Sequence, residues 1–143
     1  MRGRTLGIDV GRRRIGVALT DELGVTAQGL SVLARQGTDA DVQAVADLAR
    51  RHGCSSIVVG LPRRTDGRLG PEAQQVQAFG ARLAEVTGMP VIYWDERFST
   101  AAAEKALIEA GMRRARRRGV VDQVAASLIL QSYLDRQRGP EAH

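Results

Sequence analysis

The 143-residue sequence has few of the residues on which several classes of protein depend. It contains one cysteine, Cys54, and two histidines, so it forms no internal disulfide and offers no Cys/His cluster for zinc. Cys54 precedes an apolar run, and we expect it to be a small core residue. Aromatic residues make up only 3% of the chain. That scarcity argues against a nucleic-acid surface built from stacked aromatic rings.

Long apolar segments are also missing. No stretch approaches the roughly 20 apolar residues that a membrane helix needs. The basic start at Met1–Arg4 is followed by a short apolar stretch that contains Asp9, so we expect no signal peptide. The sequence therefore predicts a cytoplasmic protein that has no membrane partner.

Lysine is nearly absent, although the chain is basic. Of its 21 basic residues only Lys105 is lysine and the rest are arginine, with a formal net charge of +5 and a pI near 10.6. This charge suits a polyanionic partner such as nucleic acid. An arginine bias can also reflect codon composition, so the charge favours a nucleic-acid partner but does not establish one.

The first third of the chain has the pattern of a β-meander. Three short apolar segments separated by turns predict strands at Thr5–Val10, Ile15–Thr20 and Gln28–Leu33. Two further runs, Ser56–Gly60 and Val91–Trp94, are typical of buried parallel strands. The chain therefore predicts an α/β fold with a mixed five-stranded sheet, a three-strand antiparallel meander plus two parallel strands, flanked by helices.

Helical spacing of apolar residues separates and follows these parallel strands. We expect one helix capped by Thr38 or Asp39 and ended by Gly53, and a second from Pro71 to about Val86. A third should be capped by Ser99 or Thr100 and run to Ala110, and a fourth should span Val121 to about Arg136 after a basic loop at 113–119. We expect the whole to form a single domain over residues 1–138, with a frayed tail at 139–143.

Three acidic positions stand out within this pattern. Asp9 lies inside an apolar strand, Asp95 and Glu96 end another strand, and Asp122 lies in the first turn of an apolar helix. Taken singly, Asp9 is explained by hydrogen bonds from the following turn, and Asp122 by the helix dipole. Together they indicate a common site, because carboxyl ends of neighbouring parallel strands meet at one sheet edge.

Three clustered carboxylates repel one another unless a cation neutralises them. Oxygen ligands with no histidine or cysteine favour Mg²⁺ or Mn²⁺. Two such ions about 4 Å apart activate water and stabilise the leaving oxygen of a phosphodiester. Backbone hydrolysis of a nucleic acid fits both the acids and the basic charge.

Four motifs in order give the chain a specific resemblance to the YqgF/RuvX family, over roughly residues 6–134. The motifs are Gly7-Ile8-Asp9-Val10-Gly11 with Arg14-Ile15-Gly16-Val17-Ala18, Val58-Val59-Gly60-Leu61-Pro62 with Asp66-Gly67 and Gly70-Pro71, Asp95-Glu96-Arg97-Phe98-Ser99-Thr100, and Asp122-Gln123-Val124-Ala125-Ala126 with Ile129-Leu130-Gln131. The resemblance implies an RNase H-like fold related to the RuvC Holliday junction resolvases. It also implies nuclease activity on pre-16S ribosomal RNA.

The resemblance further implies that Asp9, Glu96 and Asp122 are catalytic and bind a divalent metal, most simply as a two-metal site with Mg²⁺ or Mn²⁺. Glu96 is preferred to Asp95 because we take the Glu of the family's Asp-Glu-Arg motif as the ligand. The sequence departs from the family where a lysine often precedes the last acidic motif. Arginines at 116–118 stand there instead, which keeps the charge for phosphate contact but would not replace a lysine-specific chemical role.

Other residues near these motifs are candidates for nucleic-acid binding. Arg97 would hold a phosphate or form a salt bridge with an adjacent acid, and Ser99 and Thr100 would bind phosphate or cap a helix. Two basic clusters would follow the phosphate backbone or simply be solvated. Their members are Arg12, Arg13 and Arg14, and Arg113, Arg114, Arg116, Arg117 and Arg118.

Three other functions remain open from the sequence. A sugar or acetate kinase would use Asp9-Val10-Gly11 for phosphate, but the chain is too short for the two domains of such a kinase. A non-catalytic nucleic-acid-binding module would not need all three acids. A resolvase would cut four-way DNA junctions as a symmetric homodimer, and its fold, acids and metals would be the same as those of an RNA-processing enzyme.

Overall fold

Five strands form one mixed sheet with the order β3-β2-β1-β4-β5. The computed structural model describes residues 3–64, 66–99 and 114–138, with only the backbone at 114–120 and 138. The strands are β1 (Arg4–Val10), β2 (Arg14–Thr20), β3 (Ala27–Ala34), β4 (Cys54–Leu61) and β5 (Val91–Asp95). The first three pair antiparallel, and β4 lies parallel to both β1 and β5. The mixed sheet expected from the sequence is confirmed, with strand ends shifted by at most two residues.

The described helices are α1 (Thr38–Arg51), α2 (Pro71–Thr87) and α3 (Arg114–Arg138), and a short 3-10 turn (Glu96–Phe98) follows β5. In the described segments, none of these helices has both the length and the apolar character needed to cross a membrane. The helix expected to end at Ala110 falls outside the described residues, and so does the tail at 139–143.

The start of α1 differs from the sequence expectation. The N-cap is Gly37, with φ at 133°, and neither Thr38 nor Asp39 caps the helix. Asp41, in the first turn, instead fixes the chain that enters the helix: its carboxylate accepts the backbone N–H of Gln36 at 2.9 Å and that of Gly37 at 3.4 Å. The predicted cap was wrong because the chain enters the helix in a conformation that favours glycine.

The last helix begins earlier than the sequence suggested. The segment 114–119, expected as a basic loop, forms the first turns of α3. Arginine and alanine are strong helix formers, and no proline interrupts the segment. The expected loop is therefore wrong, because the helix accommodates both the run of like charges and Gly119.

The two faces of the sheet are covered differently. Helices α1 and α2 pack on one face over a large aliphatic core that includes Leu6, Ile8, Ile57 and Leu83. Helix α3 packs on the other face over a smaller core of alanines, Val58, Ile129, Leu130 and Leu134. Side chains of successive strand residues point to opposite faces of the sheet, so a strand can contribute residues to both cores. Cys54 is buried with the first core, as expected.

Candidate active site

The end of β1 places Asp9 at the carboxyl edge of the sheet. Asp9 is half-buried and lies opposite Gly16 of β2 in the antiparallel register. Leu6 and Ile8 belong to the core under α1 and α2, so alternation puts Asp9 on the α3 face. It therefore points toward the helix that carries the third predicted acid.

Helix α3 lies directly against this part of the sheet. A Cβ atom on Gly16 would collide with the backbone carbonyl of Asp122, so only glycine permits this approach. Asp122 is 7% exposed, and its Oδ2 accepts a hydrogen bond from Arg14 Nε at 2.6 Å. Because Gly16 is the strand partner of Asp9, the packing brings Asp122 to the same end of β1.

Glu96 approaches from the opposite side. It follows β5 in the 3-10 turn, and its Oε1 lies 3.0 Å from where a Cβ on Gly60 would be. Gly60 belongs to β4, the strand between β1 and β5. The Glu96 side chain thus reaches back over β4, and Asp9 and Glu96 line the same cleft of about 560 Å³.

Asp95 has a different set of contacts from its neighbour. Its carboxylate accepts the backbone N–H of Arg97 at 2.9 Å and its Nη2 at 2.8 Å, and Arg63 Nε lies 3.2 Å away. Hydrogen bonds from Arg97 hold the pKa of the Asp95 carboxyl below its ordinary value, against the effect of burial. Asp95 is thus a structural anchor for two arginines, and this favours Glu96 as the second acid of the site.

Arg97 forms the salt bridge that the sequence left as one of its two alternatives. Its hydrogen bond to Asp95 raises the pKa of the guanidinium, and its side chain remains 44% exposed. Ser99 donates its hydroxyl to the Glu96 carbonyl at 2.9 Å, which closes the 3-10 turn. Both residues are therefore fixed beside Glu96.

The acids suit a hard divalent cation by their chemistry, since all three offer carboxylate oxygens. Within the described segments, however, no three acidic, histidine or cysteine side chains already lie close enough to hold a metal. Asp122 is turned toward Arg14. To join Asp9 and Glu96 around a cation, its carboxylate would exchange the guanidinium for the metal.

The basic candidates are placed unevenly. Arg12 is 89% exposed and lies 3.9 Å from Glu72, Arg13 is exposed, and Arg14 is committed to Asp122. Thr100 and Arg113 lie outside the described residues. The remaining candidates are on the first turns of α3, where only the backbone is described: Arg114, Arg116, Arg117 and Arg118.

Sequence reasoning missed the ion pair between Arg35 and Asp41. Arg35 Nε donates to Asp41 Oδ2 at 2.7 Å, and its Nη1 donates to the carbonyl of Gly11 at 2.8 Å. Asp41 is 3% exposed. The signal available was an acid on the apolar side of α1, spaced with Val42 and Val45, where a charge needs a partner.

The chain is similar to known proteins over nearly its whole length. Residues 3–136 match the family described as "RuvX: Holliday junction resolvase". A protein of Moorella thermoacetica named "Putative pre-16S rRNA nuclease" is 53% identical over 93% of this chain and 95% of its own length. A protein of Myxococcus xanthus with the same name is 48% identical over 96% of this chain and 91% of its own length.

Solved structures show the same architecture at low sequence identity. RuvC of T. thermophilus, in complex with a Holliday junction substrate, has a TM-score of 0.62 at 16% identity and covers 96% of this chain and 98% of that one. The yeast mitochondrial Holliday junction resolvase has a TM-score of 0.60 at 14% identity, over 99% of this chain and 81% of that one. These likenesses confirm the RNase H-like fold.

Proposed function

The chain belongs to the RuvX family, and from that premise we propose that it is a divalent-metal-dependent nuclease that hydrolyses phosphodiester bonds of structured nucleic acid in the cytoplasm. The process we assign to it is 5′-end processing of pre-16S ribosomal RNA. One observation carries the proposal: close packing of α3 on β2 brings Asp122 to the end of β1 that carries Asp9. The names of relatives about half identical to this chain support RNA as the substrate.

In this proposal Asp9, Glu96 and Asp122 hold the cations through their carboxylate oxygens. Bound Mg²⁺ or Mn²⁺ supplies Lewis acidity for the attacking water and for the leaving oxygen of the phosphodiester. Before a cation binds, Arg14 holds the Asp122 carboxylate from the β2 side at 2.6 Å, and the cation would replace this contact. Asp95 fixes the turn that carries Glu96 by accepting the Arg97 N–H.

Phosphate contacts come from the basic residues around the acids. Arg97 has one edge on Asp95 and is 44% exposed, so it can offer its remaining donors to a phosphate next to Glu96. Further contacts to the backbone of the nucleic acid come from Arg12, Arg13, Arg14, Ser99 and Thr100, and from Arg113, Arg114, Arg116, Arg117 and Arg118. These contacts set affinity and its salt dependence rather than sequence preference.

A cleavage assay with purified protein and Mn²⁺ or Mg²⁺ tests the function. It compares single-stranded RNA, a precursor rRNA fragment, duplex DNA and a four-way DNA junction. We expect the precursor RNA to be cut, and Asp9→Asn, Glu96→Gln and Asp122→Asn each to abolish cutting while binding persists. Full activity in any one variant removes that residue from the site.

The alternative function is Holliday junction resolution, which the family description and the fold of the structural neighbours favour. Symmetric nicking of the four-way junction by a homodimer would support it. Metal-dependent cleavage of none of the four substrates would instead indicate a non-catalytic nucleic-acid-binding module.

A further inference from the structure

The cleft that contains Asp9 and Glu96 extends well beyond these acids. Its volume is about 560 Å³, and it continues between the start of α1 and the part of α2 from Glu72 to Arg82. Sites for small organic ligands typically have volumes of about 300–1,000 Å³. The cleft is therefore large enough for one nucleotide, and two of the proposed catalytic residues, Asp9 and Glu96, border it.

One wall of this cleft is apolar. Val10, the last residue of β1, and Pro62, which follows β4, line it and are partly exposed. Val76 and Phe79 of α2 also line it, but they are 4% and 3% exposed and belong to the core. A flat heterocycle gains free energy by leaving water for such a wall. Paired bases inside a double helix are already stacked and cannot reach a recess of this kind without being extruded.

The lining also contains a cation that is held in place by hydrogen bonds. Arg35 lines the cleft and is fixed by Asp41 Oδ2 at 2.7 Å and by the Gly11 carbonyl at 2.8 Å. Its guanidinium also lies 5.8 Å from the centre of the Phe79 ring. Burial acts to raise the pKa of Asp41, but hydrogen bonds from Gln36 and Arg35 keep that pKa below its ordinary value. The pair thus stays ionised and holds a positive charge beside the apolar wall.

We propose that this cleft binds one unpaired nucleotide adjacent to the scissile phosphate, with its base against the apolar wall at Val10 and Pro62 and a phosphate near Arg35. The inference rests on the proposed nuclease function and narrows its substrate. Since Asp9 and Glu96 border the cleft, the bound nucleotide and the reacting phosphate would belong to the same nucleic-acid strand. The enzyme therefore requires a single-stranded or locally opened segment at its cleavage point.

Two exposed positions on α2 offer a matched pair for a binding test. Ala78 lines the cleft, whereas Gln74 is exposed on the same helix and does not line it. Glutamate is a good helix former, so both Ala78→Glu and Gln74→Glu should fold. The first places a negative charge in the cleft and the second places it outside.

The binding arm uses a labelled short single-stranded RNA and its duplex, with EDTA present to prevent cleavage. We expect Ala78→Glu to weaken single-strand binding about tenfold, which corresponds to about 1.4 kcal/mol, and Gln74→Glu to change it less than about twofold. Ala78→Lys should not weaken it, and duplex binding should be equal in all variants. Equal single-strand affinity in Ala78→Glu and Gln74→Glu, or an equal loss for the duplex, would overturn the proposal.

The cleavage arm separates this inference from the nuclease proposal. With Mn²⁺ present, an abasic residue next to the scissile phosphate should slow wild-type cleavage about tenfold on one side of the bond. Equal rates for abasic and intact substrates would refute the nucleotide site while leaving the nuclease function intact. If the wild type cuts no substrate, the nuclease proposal fails, and the binding arm still decides whether the cleft takes a nucleotide.

Discussion

The two faces of the sheet use different means to hold their helices. Under α1 and α2 the strands present large aliphatic side chains, among them Leu6, Ile8 and Ile57. Under α3 they present glycines at the points of contact: a Cβ on Gly7 would lie 2.8 Å from Leu130 Cβ, and one on Gly16 would collide with Asp122. The first face buries apolar area, and the second lets a helix backbone approach the strands.

The α1/α2 face should therefore mainly determine the stability of the fold, and the α3 face the position of Asp122. Apolar burial contributes in rough proportion to area and tolerates small shifts of a helix. A carboxylate that must join two others around a cation tolerates far less, since misplacement by about 1 Å can cost about a hundredfold in rate. We therefore expect changes on the α3 face to affect activity more than stability, and changes on the α1/α2 face to do the reverse.

The largest effect is expected from Gly16→Ala. The added methyl group would push α3 away from β2 and carry Asp122 with it. We expect cleavage to fall about a hundredfold or more and the free energy of unfolding to fall by about 1–3 kcal/mol. Activity assays and urea unfolding measure both. Wild-type activity in this variant would show that the close approach does not position Asp122.

Leu83→Ala tests the opposite face with a stability loss of similar or greater size. Leu83 is fully buried in the core under α1 and α2. We expect the free energy of unfolding to fall by about 2–5 kcal/mol, while kcat measured below the melting temperature stays within about twofold of wild type. A loss of activity as large as that of Gly16→Ala would mean that the two faces are not separable.

A smaller effect is expected from Arg14→Gln. The variant leaves the carboxylate of Asp122 without its hydrogen bond from Arg14 Nε. In EDTA we expect about 1–2 kcal/mol lower stability, and Mn²⁺ should restore more stability to the variant than it adds to the wild type, because the cation replaces the guanidinium. Equal stabilisation of both proteins by Mn²⁺ would contradict an exchange of Arg14 for metal.

The smallest effect is a pH dependence at Asp41. Its folded-state pKa lies below the ordinary value, so the ionised carboxylate adds stability above the unfolded pKa of about 3.9. That stability is lost as the pH falls through the folded pKa. Asp41→Asn should therefore be less stable than the wild type at neutral pH. The difference in their free energies of unfolding should shrink below about pH 4. Urea unfolding at several pH values measures this difference. A difference that stays constant through the acid range would refute a stabilising role for the ionised Asp41 carboxylate.

The sheet was predictable because alternation and short β-branched runs are local properties. The segments ending at Val10, Thr20 and Leu61 carry that pattern, and the strand order follows from hairpins and crossovers. The start of α3 was not predictable, since arginines and Gly119 fit a loop as well as a helix. The N-cap of α1 depends on a side chain four residues further on, which composition at the boundary does not reveal.

For the site, the sequence supplied Asp9, Glu96 and Asp122 as candidates but could not choose between Asp95 and Glu96 on physical grounds. The choice depends on Arg63, which is more than thirty positions away and reaches Asp95 only in the folded chain. Arg35 was missed for the same reason, because its partners at Gly11 and Asp41 meet only when β1, β3 and α1 assemble.

The most direct test of the proposed metal site is a Mn²⁺ titration of the intact protein, followed by electron paramagnetic resonance, with two adjacent acids compared. Glu96→Gln should weaken Mn²⁺ binding about tenfold or more, as should Asp9→Asn and Asp122→Asn. Asp95→Asn, which keeps an acceptor for the Arg97 N–H, should weaken Mn²⁺ binding less than Glu96→Gln does. Loss of Mn²⁺ binding in Asp95→Asn with retention in Glu96→Gln would contradict the site described.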